Sequence, residues 1–213
     1  MAEATKPAEA TKPAEGTKPA EGTKPAEDAK PARSARPARR TDKLNLPALL
    51  DAVRILSPSR DSGVHGEEHW RRVAMNGLYL ADEVSADPVM VVLFGLFHDS
   101  MRFNDFHDSQ HGTRAAFLAC CLNEQLLGLP EAQMDVLYTA CAEHSGGRPT
   151  DDMTIGACWD ADRLDICRLG DAVDIRLMST VPGRTLGAQR RAQELLETTP
   201  SWEEVFTRLK DGE

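Results

Sequence analysis

Two kinds of hydrophobic segment are missing from this 213-residue sequence. No apolar run approaches the roughly 18 to 20 residues needed to cross a bilayer, and the opening MAEATKPAEA lacks the apolar stretch of a secretory signal. With 41% hydrophobic and 28% charged residues, the chain is long enough for one good core. We therefore expect a soluble, cytoplasmic protein with one globular domain and no membrane partner.

Cysteine pairs of the CxxC type are missing as well. The five cysteines include no CxxC pair, one adjacent pair and an odd total: Cys120, Cys121, Cys141, Cys158 and Cys167. This pattern excludes a disulfide framework and a zinc ribbon. It predicts buried thiols in a reducing compartment, which fill the core rather than bind a metal.

Residues 1–40 contain no aromatic and no β-branched aliphatic residue, so they cannot build a core. A TKPAE unit begins at Thr5, Thr11, Thr17 and Thr23, with degenerate copies at Ala29 and Ala35. Regular proline and the lack of burial predict a disordered, solvated N-terminal arm over residues 1–40.

Charge is divided unevenly between this arm and the remainder. Residues 1–40 hold nine Lys and Arg against six Asp and Glu, a net +3, so that residues 41–213 carry −12. An acidic domain is a poor candidate for binding a nucleic acid duplex. The basic end of the arm, Arg33 to Arg40, could contact an anionic partner, but a soluble linker is the simpler interpretation.

Alternating strand patterns are missing after Thr41, where one helical pattern follows another. An all-α bundle of about eight helices is predicted for the domain at 41–213. The helices are expected at about residues 46–56, 67–84, 88–97, 109–127, 130–144, 153–169, 186–196 and 202–209. Asp87 and Pro88 form a helix start, and the apolar Val89–Phe97 predicts a central helix that places His98 and Asp99 at its end.

Histidine is confined to the middle of the chain. No histidine lies in the arm or after residue 144; the six are His65, His69, His98, His107, His111 and His144. Several lie at the ends of predicted apolar helices, where a bundle can bring imidazoles and carboxylates together. Burial of these groups without a partner would be costly, and a divalent cation would satisfy both, so the pattern predicts a metal site.

Three short motifs carry a resemblance to a known family. They are His69 followed by Arg72-Val73, the adjacent His98-Asp99 after a hydrophobic helix, and Asp162 ahead of Arg163-Leu164. In this order they resemble the HD-domain superfamily of metal-dependent phosphohydrolases, over roughly Gly63 to Gly170. The resemblance implies an HD-type helical bundle and one metal ion held by His69, His98, Asp99 and Asp162.

Branches of this family that hold two metals add a histidine at the next helix start and another at the following helix end. His111 and His144 match those places, which implies a dinuclear site bridged by a catalytic Asp99. The alternatives are a surface residue at a helix start for His111 and a dipole-stabilised residue at a helix end for His144. The sequence does not distinguish one ion from two, nor Mn²⁺, Fe²⁺, Mg²⁺, Co²⁺, Ni²⁺ and Zn²⁺.

Two further residues are candidates for catalysis. His65 lies four residues before His69, on the same helix face if that helix begins early enough, and could bind phosphate or transfer a proton. A turn histidine without a role is the alternative. Arg102 could clamp a phosphate through its planar guanidinium, with a solvated loop arginine as the alternative. Asp160 and Asp165 are predicted to point away from the site, into caps or into ion pairs with Arg163 and Arg168.

A His/Asp metal site with open coordination positions lowers the pKa of bound water and neutralises developing charge. With the resemblance, this predicts hydrolysis of a phosphate ester or anhydride of a small phosphorylated molecule, such as a nucleotide or nucleoside polyphosphate. The HD-like fold also hosts a di-iron oxygenase and a zinc hydratase, which act on non-phosphorylated small molecules. Because few basic residues lie near the predicted ligands in the sequence, these reactions are an alternative hypothesis. A metal-stabilised, non-enzymatic sensor or interaction module is the third hypothesis. The sequence also leaves open whether the protein forms a homo-oligomer.

Overall fold

The computed structural model describes residue 41 and residues 44–212, and the predicted arm at 1–40 lies outside them. Eight α-helices and no strand occur in the described part of the chain, which confirms the all-α class. The helices are α1 (Leu46–Leu56), α2 (Glu67–Glu83), α3 (Pro88–Phe97), α4 (His111–Leu122), α5 (Glu131–Glu143), α6 (Met153–Leu164), α7 (Leu186–Glu197) and α8 (Trp202–Gly212). None of these helices is both long and apolar enough to span a membrane.

Helix α3 occupies the centre of the core. Its start is fixed locally, because Asp87 Oδ1 accepts hydrogen bonds from the backbone N–H groups of Val89 and Met90. Every residue from Val89 to Phe97 is buried, as expected for a helix that is apolar on all sides. The end of this helix, with His98, therefore lies inside the protein.

Helices α2 and α3 approach closely because small residues meet at their contact. A Cβ atom at Gly95 would lie 2.7 Å from the Cβ of Ala74, closer than carbon atoms can pack. A Cβ atom at Gly77 would similarly lie 2.9 Å from the Cβ of Val91. This close packing brings the start of α2, with His69, next to the end of α3, with His98.

Two α-helices end earlier than predicted, because the chain continues from them as a π-helical turn or a 3₁₀ turn. Helix α4 stops at Leu122 and continues as a π-helical turn, Asn123–Leu127, which Gly128 closes with φ 59°. Helix α6 stops at Leu164 and continues as a 3₁₀ turn, Asp165–Leu169, before Gly170 with φ 81°. Both glycines adopt the left-handed conformation that other residues rarely take.

The prediction that the cysteines are buried is wrong for the adjacent pair. Cys141 and Cys158 are buried, and Cys167 is half-buried, but Cys120 and Cys121 are exposed. Helix α4 lies at the surface, and its outer face also leaves Phe117 66% exposed. All five are free thiols.

Candidate metal centre

Six residues predicted as ligands meet in one place from five parts of the fold. His69 lies in the first turn of α2, His98 and Asp99 follow α3, and His111 begins α4. His144 follows the last residue of α5, and Asp162 lies near the end of α6. All are buried except Asp162, whose side chain is 21% exposed. The burial of His111 contradicts the alternative of a surface residue at a helix start. His144 does lie at the end of α5, as its alternative stated, and it is buried within the cluster.

One group of donor atoms joins α2, α3 and α6. The Nε2 atoms of His69 and His98 lie 3.0 Å apart. Asp162 Oδ1 lies 3.3 Å from His69 Nε2 and 3.6 Å from His98 Nε2. These three atoms could share one metal ion.

A second group joins the residues after α3 to α4 and α5. The Nε2 atoms of His111 and His144 lie 2.9 Å apart. Asp99 Oδ1 lies 3.1 Å from His111 Nε2 and 3.6 Å from His144 Nε2. These three atoms form another group that could hold an ion.

Asp99 lies between the two groups and offers one carboxylate oxygen to each. While Oδ1 faces His111 and His144, Oδ2 lies 3.6 Å from His69 Nε2 and 3.8 Å from His98 Nε2. A carboxylate in this position can contact two cations at once. The arrangement is the one that a bridging Asp99 requires.

The outer ring nitrogens show which form each histidine takes. The Nδ1 atom of His69 contacts Asp165 Oδ2 at 2.7 Å, and that of His144 contacts the Cys141 carbonyl oxygen at 2.7 Å. The Nδ1 atoms of His98 and His111 also face backbone carbonyl oxygens. Because these partners only accept hydrogen bonds, each Nδ1 carries a hydrogen. In neutral rings, each Nε2 then carries a lone pair. These lone pairs face each other between His69 and His98 and between His111 and His144.

Facing lone pairs at 3.0 and 2.9 Å repel each other unless a proton or a metal cation lies between them. Outward donation from Nδ1 with Nε2 directed inward is also the usual orientation of a metal-binding histidine. The donor set of imidazole nitrogen and carboxylate oxygen therefore fits divalent metal ions.

The electrostatics of the cluster attract cations. Burial opposes ionisation of Asp99 and Asp162, but the neighbouring histidines outweigh it and hold the pKa of both carboxylates well below the usual value. Burial lowers the pKa of His98. Burial alone would lower the pKa of His69 and His144, but hydrogen bonds with carboxylates outweigh it and raise both pKa values. Metal ligation requires the neutral ring, so any proton held on Nε2 of His69 or His144 would be released when a metal ion binds.

A solved structure shares this architecture. The crystal structure of a predicted HD superfamily hydrolase from an uncultured Thermotogales bacterium is similar to the chain with a TM-score of 0.56. The two sequences are 23% identical, and the similarity covers 72% of this chain and 88% of the other. The chain shares the fold of this predicted HD superfamily hydrolase. No protein-family profile and no curated protein matches the sequence.

Within this HD fold, His65 reaches the cluster from a turn. Helix α2 begins at Glu67, so His65 does not share a helix face with His69. Instead its backbone N–H donates to Ser62 Oγ, and its carbonyl oxygen accepts from Trp70 Nε1 at 2.7 Å. These contacts place His65 Nδ1 2.7 Å from Asp99 Oδ2.

Arg102 also contacts Asp99, on the other oxygen. Its Nε donates to Asp99 Oδ1 at 2.9 Å, and its side chain is only 12% exposed. The alternative of a solvated loop arginine is therefore wrong, because the ion pair holds the guanidinium beside the cluster. His107, in contrast, is exposed and takes no part.

One residue of this centre, Asp165, was not predicted from the sequence. Asp165 was expected to point away, yet its carboxylate accepts from His69 Nδ1 and, through both oxygens, from Arg72. Asp162 and Asp165 are three residues apart and so share a helix face, which is the signal that could have identified Asp165. Asp160 does cap other groups, the backbone N–H of Ser179 and of Thr180.

A cavity of about 320 Å³ opens beside the cluster in this HD fold. Asp99, Asp162, His144 and His65 contribute to its wall, and three arginines join them: Arg102, Arg163 and Arg168. The expectation that basic residues are scarce near the ligands is therefore wrong. The 3₁₀ turn after α6 brings Arg168 to the site, a position that the sequence did not indicate.

Proposed function

We propose that this protein is a metal-dependent phosphohydrolase that hydrolyses a phosphate ester or anhydride of a small molecule such as a nucleotide or nucleoside polyphosphate. The observation that carries the proposal is the pairing of histidine Nε2 atoms on either side of Asp99. The arginines around the adjacent cavity support a phosphorylated substrate, because guanidinium groups bind phosphate oxygens well.

Each proposed ligand has a defined place. His69, His98 and Asp162 would hold one ion, His111 and His144 would hold the other, and Asp99 would contact both. Two divalent ions bound here would supply a water of lowered pKa and would neutralise negative charge on phosphoryl oxygens. The four histidines contribute neutral nitrogen and the two aspartates contribute charge, a mixture that admits Mn²⁺, Fe²⁺, Mg²⁺, Co²⁺, Ni²⁺ or Zn²⁺.

Catalytic roles are proposed for Asp99, His65 and Arg102. His65 and Arg102 donate to opposite oxygens of Asp99 and so hold its carboxylate in the bridging orientation. Both side chains also line the cavity. A substrate there would lie within reach of the His65 ring, which could then pass a proton to the departing oxygen.

The proposal is tested by metal analysis and a substrate screen. The purified full-length chain is stripped, reloaded separately with Mn²⁺, Mg²⁺, Co²⁺ and Ni²⁺, and assayed for release of phosphate from phosphorylated compounds. We expect two ions per chain and hydrolysis with at least one metal. Inertness towards nucleotides, cyclic nucleotides and simple phosphodiesters with every metal would contradict the proposal.

Isotopic labelling separates hydrolysis from the other chemistries of HD-like folds. In ¹⁸O-labelled water, a phosphohydrolase places label in the released phosphate or nucleotide and does not need oxygen gas. An oxygenase would need iron and O₂, since its metal must change oxidation state. A hydratase would release no phosphate, and a non-enzymatic module would bind metal without turnover.

A further inference from the structure

Arg168 carries a positive charge that the described residues do not neutralise through a carboxylate hydrogen bond. Its side chain is 9% exposed and lines the cavity beside the cluster. Asp165 Oδ2, at 3.9 Å from Arg168 Nε, is beyond hydrogen-bond distance. That carboxylate already accepts from Arg72 and His69. Asp165 is thus only a distant ion-pair partner. A buried charge without a hydrogen-bonded carboxylate is costly, which points to an anion that binds there.

The hydrogen bonds of Arg168 hold its guanidinium in place without satisfying it. Nε donates to the Val64 carbonyl oxygen at 2.9 Å, and Nη1 donates to the Asp165 carbonyl oxygen at 3.0 Å. Both acceptors are neutral backbone groups. They fix the plane of the guanidinium, and its charge is left for another partner.

The Nη2 atom of Arg168 keeps its hydrogens for a ligand. It lies 3.4 Å from His65 Nδ1. This ring nitrogen lies 2.7 Å from Asp99 Oδ2, an acceptor, and therefore carries a hydrogen itself. A nitrogen that donates to Asp99 cannot also accept from Arg168. The N–H groups of Nη2 are thus available to the cavity that this side chain lines.

Another part of the same cavity is apolar. Ile166, Leu169 and Leu177 contribute to its wall, and Leu169 is 47% exposed. Arg102, a second arginine of the lining, donates from Nε to Asp99. The third arginine, Arg163, donates to the backbone carbonyl oxygens of Leu177 and Arg148. The cavity therefore combines two arginines that make no hydrogen bond to a carboxylate, Arg163 and Arg168, with a surface suited to a hydrocarbon or an aromatic face.

We infer that Arg168 binds the phosphoryl group of the substrate, and that the substrate is a phosphate monoester whose organic part has an apolar face. This inference rests on the proposed phosphohydrolase function and narrows its substrate class. In the reaction, a P–O bond forms from water, the ester P–O bond breaks, and a proton from water passes to the departing oxygen. The products are inorganic phosphate and an alcohol.

The phosphoryl contact is tested by binding inorganic phosphate to the metal-loaded full-length chain, measured by calorimetry. Arg168→Gln should weaken phosphate binding roughly 10- to 100-fold, the effect of losing a charge-assisted hydrogen bond. The phosphate affinity of Arg168→Lys should lie between those of Arg168→Gln and the unsubstituted protein, because lysine keeps the charge and loses the planar guanidinium. The matched control is Arg190→Gln on the exposed face of α7, with unchanged affinity. Metal content is measured for every variant.

Phosphate affinity within two-fold of the unsubstituted protein in both Arg168 variants, with full metal content, would overturn the inference. If phosphorylated compounds are still hydrolysed, the proposed function survives that result. If none is hydrolysed and yet Arg168→Gln weakens phosphate binding, the anion contact is supported and the proposed reaction is contradicted.

The substrate class is tested by kcat/KM for an aryl phosphate, glycerol phosphate and a nucleoside triphosphate. We expect the aryl phosphate to react best. Leu169→Asn, which adds polarity without charge, should lower kcat/KM for the aryl phosphate at least several-fold and leave phosphate affinity unchanged. Equal kcat/KM for the three compounds, or no effect of Leu169→Asn, would overturn the assignment of an apolar organic group.

Discussion

The Nδ1 atom of His69 lies 2.7 Å from Oδ2 of Asp165, a residue 96 positions later in the chain. Arg72 clamps the same carboxylate with two nitrogen atoms. Asp165 therefore sets the orientation of a proposed metal ligand without facing the metals itself. Such outer partners fix the tautomer and the direction of the ligating ring.

Asp165→Asn is expected to weaken metal binding by about 10- to 100-fold, because an amide holds His69 Nδ1–H less well than a carboxylate does. It should also destabilise the fold by about 3–5 kcal/mol, since the charge of the buried Arg72 loses its partner. Metal dissociation constants and thermal melting of the variant check both effects. The control is Asp61→Asn, at an exposed ion pair with Arg60; equal metal affinity in the two variants would show that Asp165 does not orient His69.

His98→Ala or Asp99→Ala should abolish metal-dependent turnover and leave a helical bundle. Each change removes a proposed ligand, and Asp99 is shared by both groups of donor atoms. Circular dichroism, metal analysis and activity should be measured on the same samples. His107→Ala is the matched control, because this histidine is exposed and lies outside the cluster. Full activity of His98→Ala would contradict the assignment of the first metal.

His111→Ala or His144→Ala should keep one bound ion per chain and lose most of the activity. The group of His69, His98 and Asp162 remains intact in these variants, so one ion can still bind, but the paired arrangement around Asp99 is lost. Metal stoichiometry gives the decisive measurement. One ion per chain in the unsubstituted protein, together with fully active His111→Ala and His144→Ala, would disprove the dinuclear site.

Gly95→Ala should destabilise the protein by about 1–3 kcal/mol, because the new methyl group collides with Ala74 and forces α2 and α3 apart. Thermal melting should fall by several degrees, and metal affinity should fall as well, since His69 and His98 lie on these two helices. The control is Gly63→Ala, where a Cβ atom meets nothing within 4 Å. Equal melting temperatures of Gly95→Ala and Gly63→Ala would mean that α2 and α3 can accommodate a methyl group at their contact.

Deletion of residues 1–40 should leave turnover and the melting temperature unchanged. These residues include no aromatic and no β-branched aliphatic side chain to pack against the domain. Activity and melting curves of the shortened and full-length chains make the comparison. A several-fold loss of kcat/KM would show instead that the arm contributes to the catalytic domain.

The sequence by itself determined the all-α class and the start of most helices. These features depend on local rules: Asp87 and Asp152 cap the backbone that directly follows them, and the apolar Val89–Phe97 can only be buried. The motifs around His69, His98 and Asp162 also indicated which residues to examine as ligands. The tertiary structure then placed them within 4 Å of one another.

Only the tertiary structure decided which residues surround the candidate ligands. Asp165 meets His69, Arg168 enters the cavity, and His65 reaches Asp99 from a turn because elements far apart in the chain pack together. The same packing leaves the Cys120–Cys121 pair at the surface, contrary to the expectation of burial. Local sequence patterns report the direction of a side chain from its own helix. They do not report which neighbour that side chain will meet, because the neighbour depends on how closely the helices approach.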